Sequence, residues 1–161
     1  MNEEENKSTD SHADDLLQLV SFKLGSEEFA IDILNIQEII RTVEVTTVPR
    51  APQFVEGVIN LRGKVIPIID LRKRFGLPSI ENTKNTRIVV VDFDNKVVGL
   101  VVDGVSEVLR LPASTIEPPP PMLAGIDSDY ISGVGKLDDR LLIMLDISRV
   151  LSQEESAALS F

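Results

Sequence analysis

The sequence predicts an all-β protein with short helices, built as two small β-barrels in a tandem pseudo-repeat. Three observations carry this reading. Phe54 to Leu71 reads as two apolar strands joined at Arg62-Gly63-Lys64, where glycine takes positive φ without steric cost, followed by Asp70 capping a short basic helix, Leu71 to Phe75. The same unit recurs at Tyr130 to Leu151, with Gly57 matched by Gly133, Val58 by Val134, Leu61 by Leu137 and Asp70 by Asp146. Leu17 to Arg50 matches Thr86 to Pro119 in the same way, aligning Val20 with Val89, Glu38 with Glu107 and Arg41 with Arg110.

Taken in order, residues 1–15 are charged and aperiodic and are expected to be a disordered acidic tail; they hold six acidic side chains and one lysine. The folded part is expected over 16–152, as two interleaved or adjacent barrel subdomains, with 153–161 a C-terminal helix end or tail. Leu17 to Leu24 and Glu28 to Ile33 read as strands around Gly25-Ser26. Asn35-Ile36-Gln37-Glu38 has the form of a capping box, and Ile36, Ile39 and Ile40 then share one helical face, so a short helix is predicted there. Its copy is predicted at Asp103 to Arg110. Val43 to Val48 reads as strand, and Arg87 to Phe93 with Lys96 to Val102 as a hairpin closed at Asp94-Asn95. Pro67 cannot donate to a ladder and is expected at an edge or bulge. A terminal helix is expected from Asp146, fraying near Ser156. About five short strands per copy suit barrels, since closure removes exposed edges. Each copy is too small for a generous core of its own, so the barrels are expected to share apolar surface.

Composition narrows the chemistry. With no cysteine and a single histidine, His12, in the polar tail, thiolate sites and histidine-based metal or triad chemistry have no material. The net charge of −10 argues against nucleic acid, and no apolar run approaches the ~20 residues of a membrane span. A cytoplasmic, soluble chain without direct membrane insertion is expected. Asp70, Asp103 and Asp146 each follow an apolar strand and are expected to be helix or turn caps; no phosphate cradle, nucleophile elbow or metal-ligand cluster is visible, so no catalytic residue, metal or cofactor is expected.

Arg62 is the first candidate for function, because Asn60-Leu61-Arg62-Gly63 in copy one becomes Lys136-Leu137-Asp138-Asp139 in copy two while the flanking strands persist. Lys73 and Arg74 read as a solvated cationic helix end. Ile36, Ile39, Val105 and Val108, on the two predicted helices, seal the barrels or line an apolar groove between them that would suit an amphipathic helix. Pro118 to Pro121 reads as a stiff spacer.

Gln37-Glu38, Gly57, Asn60-Leu61-Arg62-Gly63, Pro67-Ile68-Ile69-Asp70-Leu71-Arg72, Gly99, Val102-Asp103-Gly104-Val105 and Gly133 together resemble the CheW-type chemotaxis coupling proteins, over roughly Leu17 to Leu151. The resemblance implies two SH3-like five-stranded barrels and a noncatalytic adaptor. Its implied partners are the regulatory domain of a CheA-type histidine kinase, bound through barrel ends, and the cytoplasmic helical hairpin of a chemoreceptor, bound in the groove between barrels. Adaptor and kinase domain would then alternate in rings. By family position, Ile36, Glu38, Arg62, Val105 and Val108 belong to the receptor-facing surface, and Glu38 and Arg62 are also placed to pair. Gly57, Gly63 and Gly133 are read as close-packing turns near interfaces. Two rivals stand beside the adaptor: a double barrel that binds a small regulatory ligand in an enclosed pocket, and an enzyme using Asp and Glu alone.

Overall fold

Apolar alternation and glycine turns set the strands. The computed structural model describes residues 15–78, 81–93, 95–119 and 130–150. Among them the strands run β1 (Leu16–Leu24), β2 (Glu27–Asp32), β3 (Ile36–Arg41), β4 (Val55–Leu61), β5 (Lys64–Asp70), β6 (Arg87–Phe93), β7 (Lys96–Val102), β8 (Gly104–Pro112), β9 (Ile116–Glu117), β10 (Ile131–Leu137) and β11 (Arg140–Leu145). Two one-turn helices, α1 (Leu71–Arg74) and α2 (Ile147–Val150), follow β5 and β11. The element order repeats as the sequence predicts. The acidic tail through residue 14, the segment from 151 onward, Asp94, and Pro120-Pro121 of the proline run lie outside the described residues.

Two barrel-like sheets result, and each draws strands from both copies. One has the order β8-β1-β2-β11-β10-β9 and the other β3-β6-β7-β5-β4. The copies meet through four strand pairings, β1 with β8 and β3 with β6 antiparallel, and β2 with β11 and β5 with β7 parallel. Closure is similar in both sheets. Beyond β3, Thr46 exchanges backbone hydrogen bonds with Val58 of β4 at 2.9 and 2.8 Å; beyond β8, β9 pairs with Val134 and Gly135 of β10.

The apolar residues divide into three clusters. Ile59, Ile66, Ile68, Ile88, Val90 and Val101 form one cluster from the β3-to-β4 sheet, and Leu19, Ala30, Leu111, Leu142 and Met144 another from the other sheet. The largest lies between the two: Phe22, Leu24, Phe29 and Ile31 from one sheet meet Val89, Val91, Leu100 and Val102 from the other. The barrels share apolar surface, as expected.

Several local expectations are corrected. The predicted helices at Asn35 and Asp103 do not form; Ile36–Arg41 and Gly104–Pro112 are strands, so Ile36, Val105 and Val108 are strand residues. β-Branched residues suit a pleated surface better than a helix, and burial alternates along β3 with period two. The cap belongs one turn earlier, where Asp32 accepts from Leu34 N–H (2.9 Å) over a single 3₁₀ turn, Ile33–Asn35. Of Val43 to Val48, only Thr46 pairs in a bridge. Pro67 lies at neither an edge nor a bulge. Val58 directs both its backbone groups at Thr46, so its pairing with Pro67 removes no β4–β5 hydrogen bond, and the β7 ladder begins only at Ile68.

The close packing expected at Gly57 and Gly133 is present, but not in turns. Gly57 and Gly133 lie within strands, each beside a register shift rather than in a turn. A Cβ on Gly57 would come within 2.1 Å of Thr46 O, and one on Gly133 within 2.5 Å of Ile116 Cγ2. Both allow the chain to close over the end of its barrel. A Cβ on Gly63 would meet nothing within 4 Å; Gly63 serves the hairpin turn through its φ of +86°. Gly57→Ala, which adds overlap to an unfavourable φ of +147°, should therefore cost roughly 3 kcal/mol or more in urea unfolding, against about 1 to 2 kcal/mol for Gly63→Ala. Equal losses would show that closure at Thr46 does not constrain Gly57.

Candidate functional site

The outer strands β3 and β8 border the seam between the barrels, and they are equivalent in the repeat. Ile36 of β3 and Val105 of β8 correspond, and both are half-buried against the shared central cluster. Ile39 and Val108 correspond in turn and are exposed, Val108 at 59%. Apolar groups of both barrels therefore face the same seam or its rim. Large apolar side chains left open at strand edges are candidates for contact with a partner.

Glu38, between Ile36 and Ile39, meets the tip of the β4–β5 hairpin. Arg62 and Gly63 take φ of +52° and +86° there, and the Asn60 side chain accepts from Gly63 N–H at 2.8 Å. This turn aims the Arg62 guanidinium at Glu38. Nη1 donates to Oε1 at 3.1 Å, and Nη2 donates to Oε2, so the contact is bidentate. The hydrogen bond from Arg62 holds the Glu38 carboxyl below the usual carboxylate range, and the same bond raises Arg62. Arg62 nonetheless keeps 67% of its side chain exposed. The pair braces β3 to the hairpin while leaving the cation open to solvent.

Copy two keeps the device with a different residue. Glu107, equivalent to Glu38, accepts from Arg140 Nη2 at 2.5 Å, and Arg140 Nε lies 3.6 Å from Glu28. Arg140 aligns with Lys64, two positions beyond the tip. The loss of arginine at Asp138-Asp139 thus does not mean the loss of the brace, and divergence at the tip alone does not single out Arg62. What distinguishes Arg62 is its place on a turn and its exposure. Sequence comparison of the copies position by position missed Arg140, because the acid–arginine contact is conserved across space rather than in register.

The other candidate charges serve the framework. Asp70 and Asp146 cap α1 and α2, accepting from Arg72 N–H at 2.9 Å and Ser148 N–H at 3.1 Å. Asp103 caps no helix. Its Oδ2 accepts from Gly25 N–H at 2.6 Å, and its Oδ1 lies 3.2 Å from Arg72 Nη1. Arg72, buried, also approaches Asp70 Oδ1 through Nε at 3.3 Å, giving an Asp–Arg–Asp group that joins α1, the β7–β8 bend and the β1–β2 turn. Arg74 is not a solvated helix end. It stacks over Phe54 and Tyr130 at 4.8 and 5.0 Å and donates from Nε to Val150 O at 2.7 Å, tying α1 to the C-terminus of α2. Lys73 pairs with Glu56 at 3.3 Å. Among the described residues, no group of three His, Cys, Asp or Glu is placed to hold a metal ion.

Comparison with known proteins is consistent across three kinds of match. Residues 18–155 match the family model described as CheW-like domain. The chain is 45% identical to the chemotaxis protein CheW of Klebsiella aerogenes over 87% of its length and 84% of that protein, and 38% identical to that of Helicobacter pylori over 88% and 85%. Its fold is similar to the crystal structure of the scaffolding protein TtCheW from Thermoanaerobacter tengcongensis, with a TM-score of 0.81, 38% identity, and coverage of 88% and 91% of the two chains.

The brace makes a pH prediction. A carboxyl held lower in the folded than in the unfolded chain contributes stability that is present above its ordinary value of 4.5 and lost as pH falls through the folded value. Arg62→Ala should return the Glu38 titration toward that ordinary value in carbon-detected NMR, and shift the urea midpoint only slightly. An unmoved Glu38 midpoint would show that the pair does not persist in solution.

Proposed function

The chain belongs to the CheW-like domain family of chemotaxis scaffold proteins, and from that premise we propose that it is a noncatalytic adaptor coupling the cytoplasmic tips of chemoreceptors to a CheA-type histidine kinase. The observation that carries this is the seam. Ile36 and Val105 bring apolar contact from the two barrels against one core, and Glu38 with Arg62 stands beside them. A helical hairpin laying its apolar face along this seam would contact both barrels at once.

The two barrels have related but unlike ends, so end-to-end docking with the regulatory domain of the kinase is heterologous and can close into a ring. Receptor and kinase would then act on one rigid body. A receptor state that favours one arrangement of seam and ends would bias the kinase, a coupling typically of about 1–3 kcal/mol. No helix among the described residues is long and apolar enough to cross a membrane. We place the chain in the cytoplasm, drawn to receptor arrays by these contacts. Ile36, Val105 and Val108 would supply the apolar receptor contact, and Arg62 would either reach the receptor or hold Glu38 and the groove in shape.

The test is phosphorylation of a cognate CheA-type kinase in the presence of receptor signalling fragments. Wild-type protein should raise the rate and attractant should suppress it, while a folded Arg62→Ala variant should fail to couple. A wild-type protein without effect on a cognate kinase and receptor pair would refute the adaptor assignment.

A further inference from the structure

Beside Val105 a cleft opens between the start of β8, the end of β1 and the loop before β6, and its lining includes Lys23, Asn85, Arg87 and Asp103. Its one carboxylate is already engaged. Asp103 accepts from Gly25 N–H through one oxygen and lies against Arg72 through the other. Asp103 keeps its charge, but both its oxygens are directed at these partners, and the other charged side chains of the lining, Lys23 and Arg87, are both positive. Arg87 is held rigidly, since its Nη1 donates to Lys84 O at 2.9 Å and Thr86 O at 2.8 Å, and carbonyl acceptors leave its charge in place. Lys23 is exposed, and its backbone is fixed by Asp103 N–H donating to its carbonyl at 2.9 Å. Lys23 and Arg87 thus place two cations on one cleft beside Val105, while Glu28, the cross-strand neighbour of Lys23, lies 3.6 Å from Arg140.

We propose that Lys23 and Arg87 receive an acidic side chain from the receptor's helical hairpin and so help set which hairpins the seam accepts. The inference rests on the adaptor reading and deepens it. A helix whose apolar residue meets Val105 carries neighbours three and four positions away on the same face, and a carboxylate at such a position falls over this cleft. Complementary charge at the rim of a contact acts mainly on encounter rate and on discrimination between partners, and it weakens with salt.

The test titrates full-length protein into a labelled signalling-tip fragment of a cognate chemoreceptor and follows anisotropy at low and physiological salt. Lys23→Glu should bind about tenfold more weakly at low salt, with the gap narrowing at higher salt, and a fragment in which a tip glutamate is replaced by lysine should recover the loss. Arg87→Gln, which keeps hydrogen-bonding capacity toward the loop carbonyls, should show a smaller loss in the same direction. If wild type binds and Lys23→Glu binds equally well, the cleft has no such role while the adaptor reading survives. If wild type does not bind the fragment at all, both are overturned.

Discussion

The apolar seam between the two barrels is the constraint on which the rest of the structure depends. Among the described residues its cluster holds nineteen buried side chains, whereas the other two clusters hold six and five, so most of the hydrophobic stabilisation lies where the barrels meet. β6 and β7 are buried on both faces for this reason: Val89 and Val91 face the seam while Ile88 and Val90 face the smaller cluster. Strand interleaving makes separation harder still. Neither barrel can be completed by one copy of the repeat, because β1 and β2 complete the sheet of β8 to β11, and β6 and β7 complete that of β3 to β5.

Polar contacts then fix the seam's geometry. Arg72 between Asp70 and Asp103 replaces lost hydration with opposite charge and ties elements of both copies at one point. Such a buried group adds little net stability over an apolar replacement, but removing one member strands the others. Arg74 closes the seam near α2 through stacking and a carbonyl contact. The two acid–arginine pairs link β3 to the tip of the β4–β5 hairpin and β8 to the start of β11. Under the proposed adaptor reading, such a seam with two apolar rims would hold a helical partner against both barrels at once.

The sequence made much of this legible. Glycine turns, apolar alternation and Asp caps placed both β-hairpin-plus-helix units, and the repeat linked them. It misled at β3 and β8, where isoleucines at positions 36, 39 and 40 fit a helical face as well as a strand, and where the repeat carried one misreading into both copies. The polar links were hidden for another reason. Arg72 with Asp103, Arg74 with Tyr130 and Arg140 with Glu107 join residues far apart in the chain, and no local spacing announces them. Likewise the requirement for Gly57 comes from Thr46 O, a neighbour only in the folded chain.

The most direct test of the account is a methyl NMR titration of the full chain with a receptor signalling-tip fragment. The seam reading requires the methyls of Ile36 and Val105, one from each barrel, to shift together along one binding curve, with Val108 following at the rim. Shifts confined to a barrel end, such as Val65 or Leu141, with Ile36 and Val105 unmoved, would contradict it and place receptor contact outside the seam.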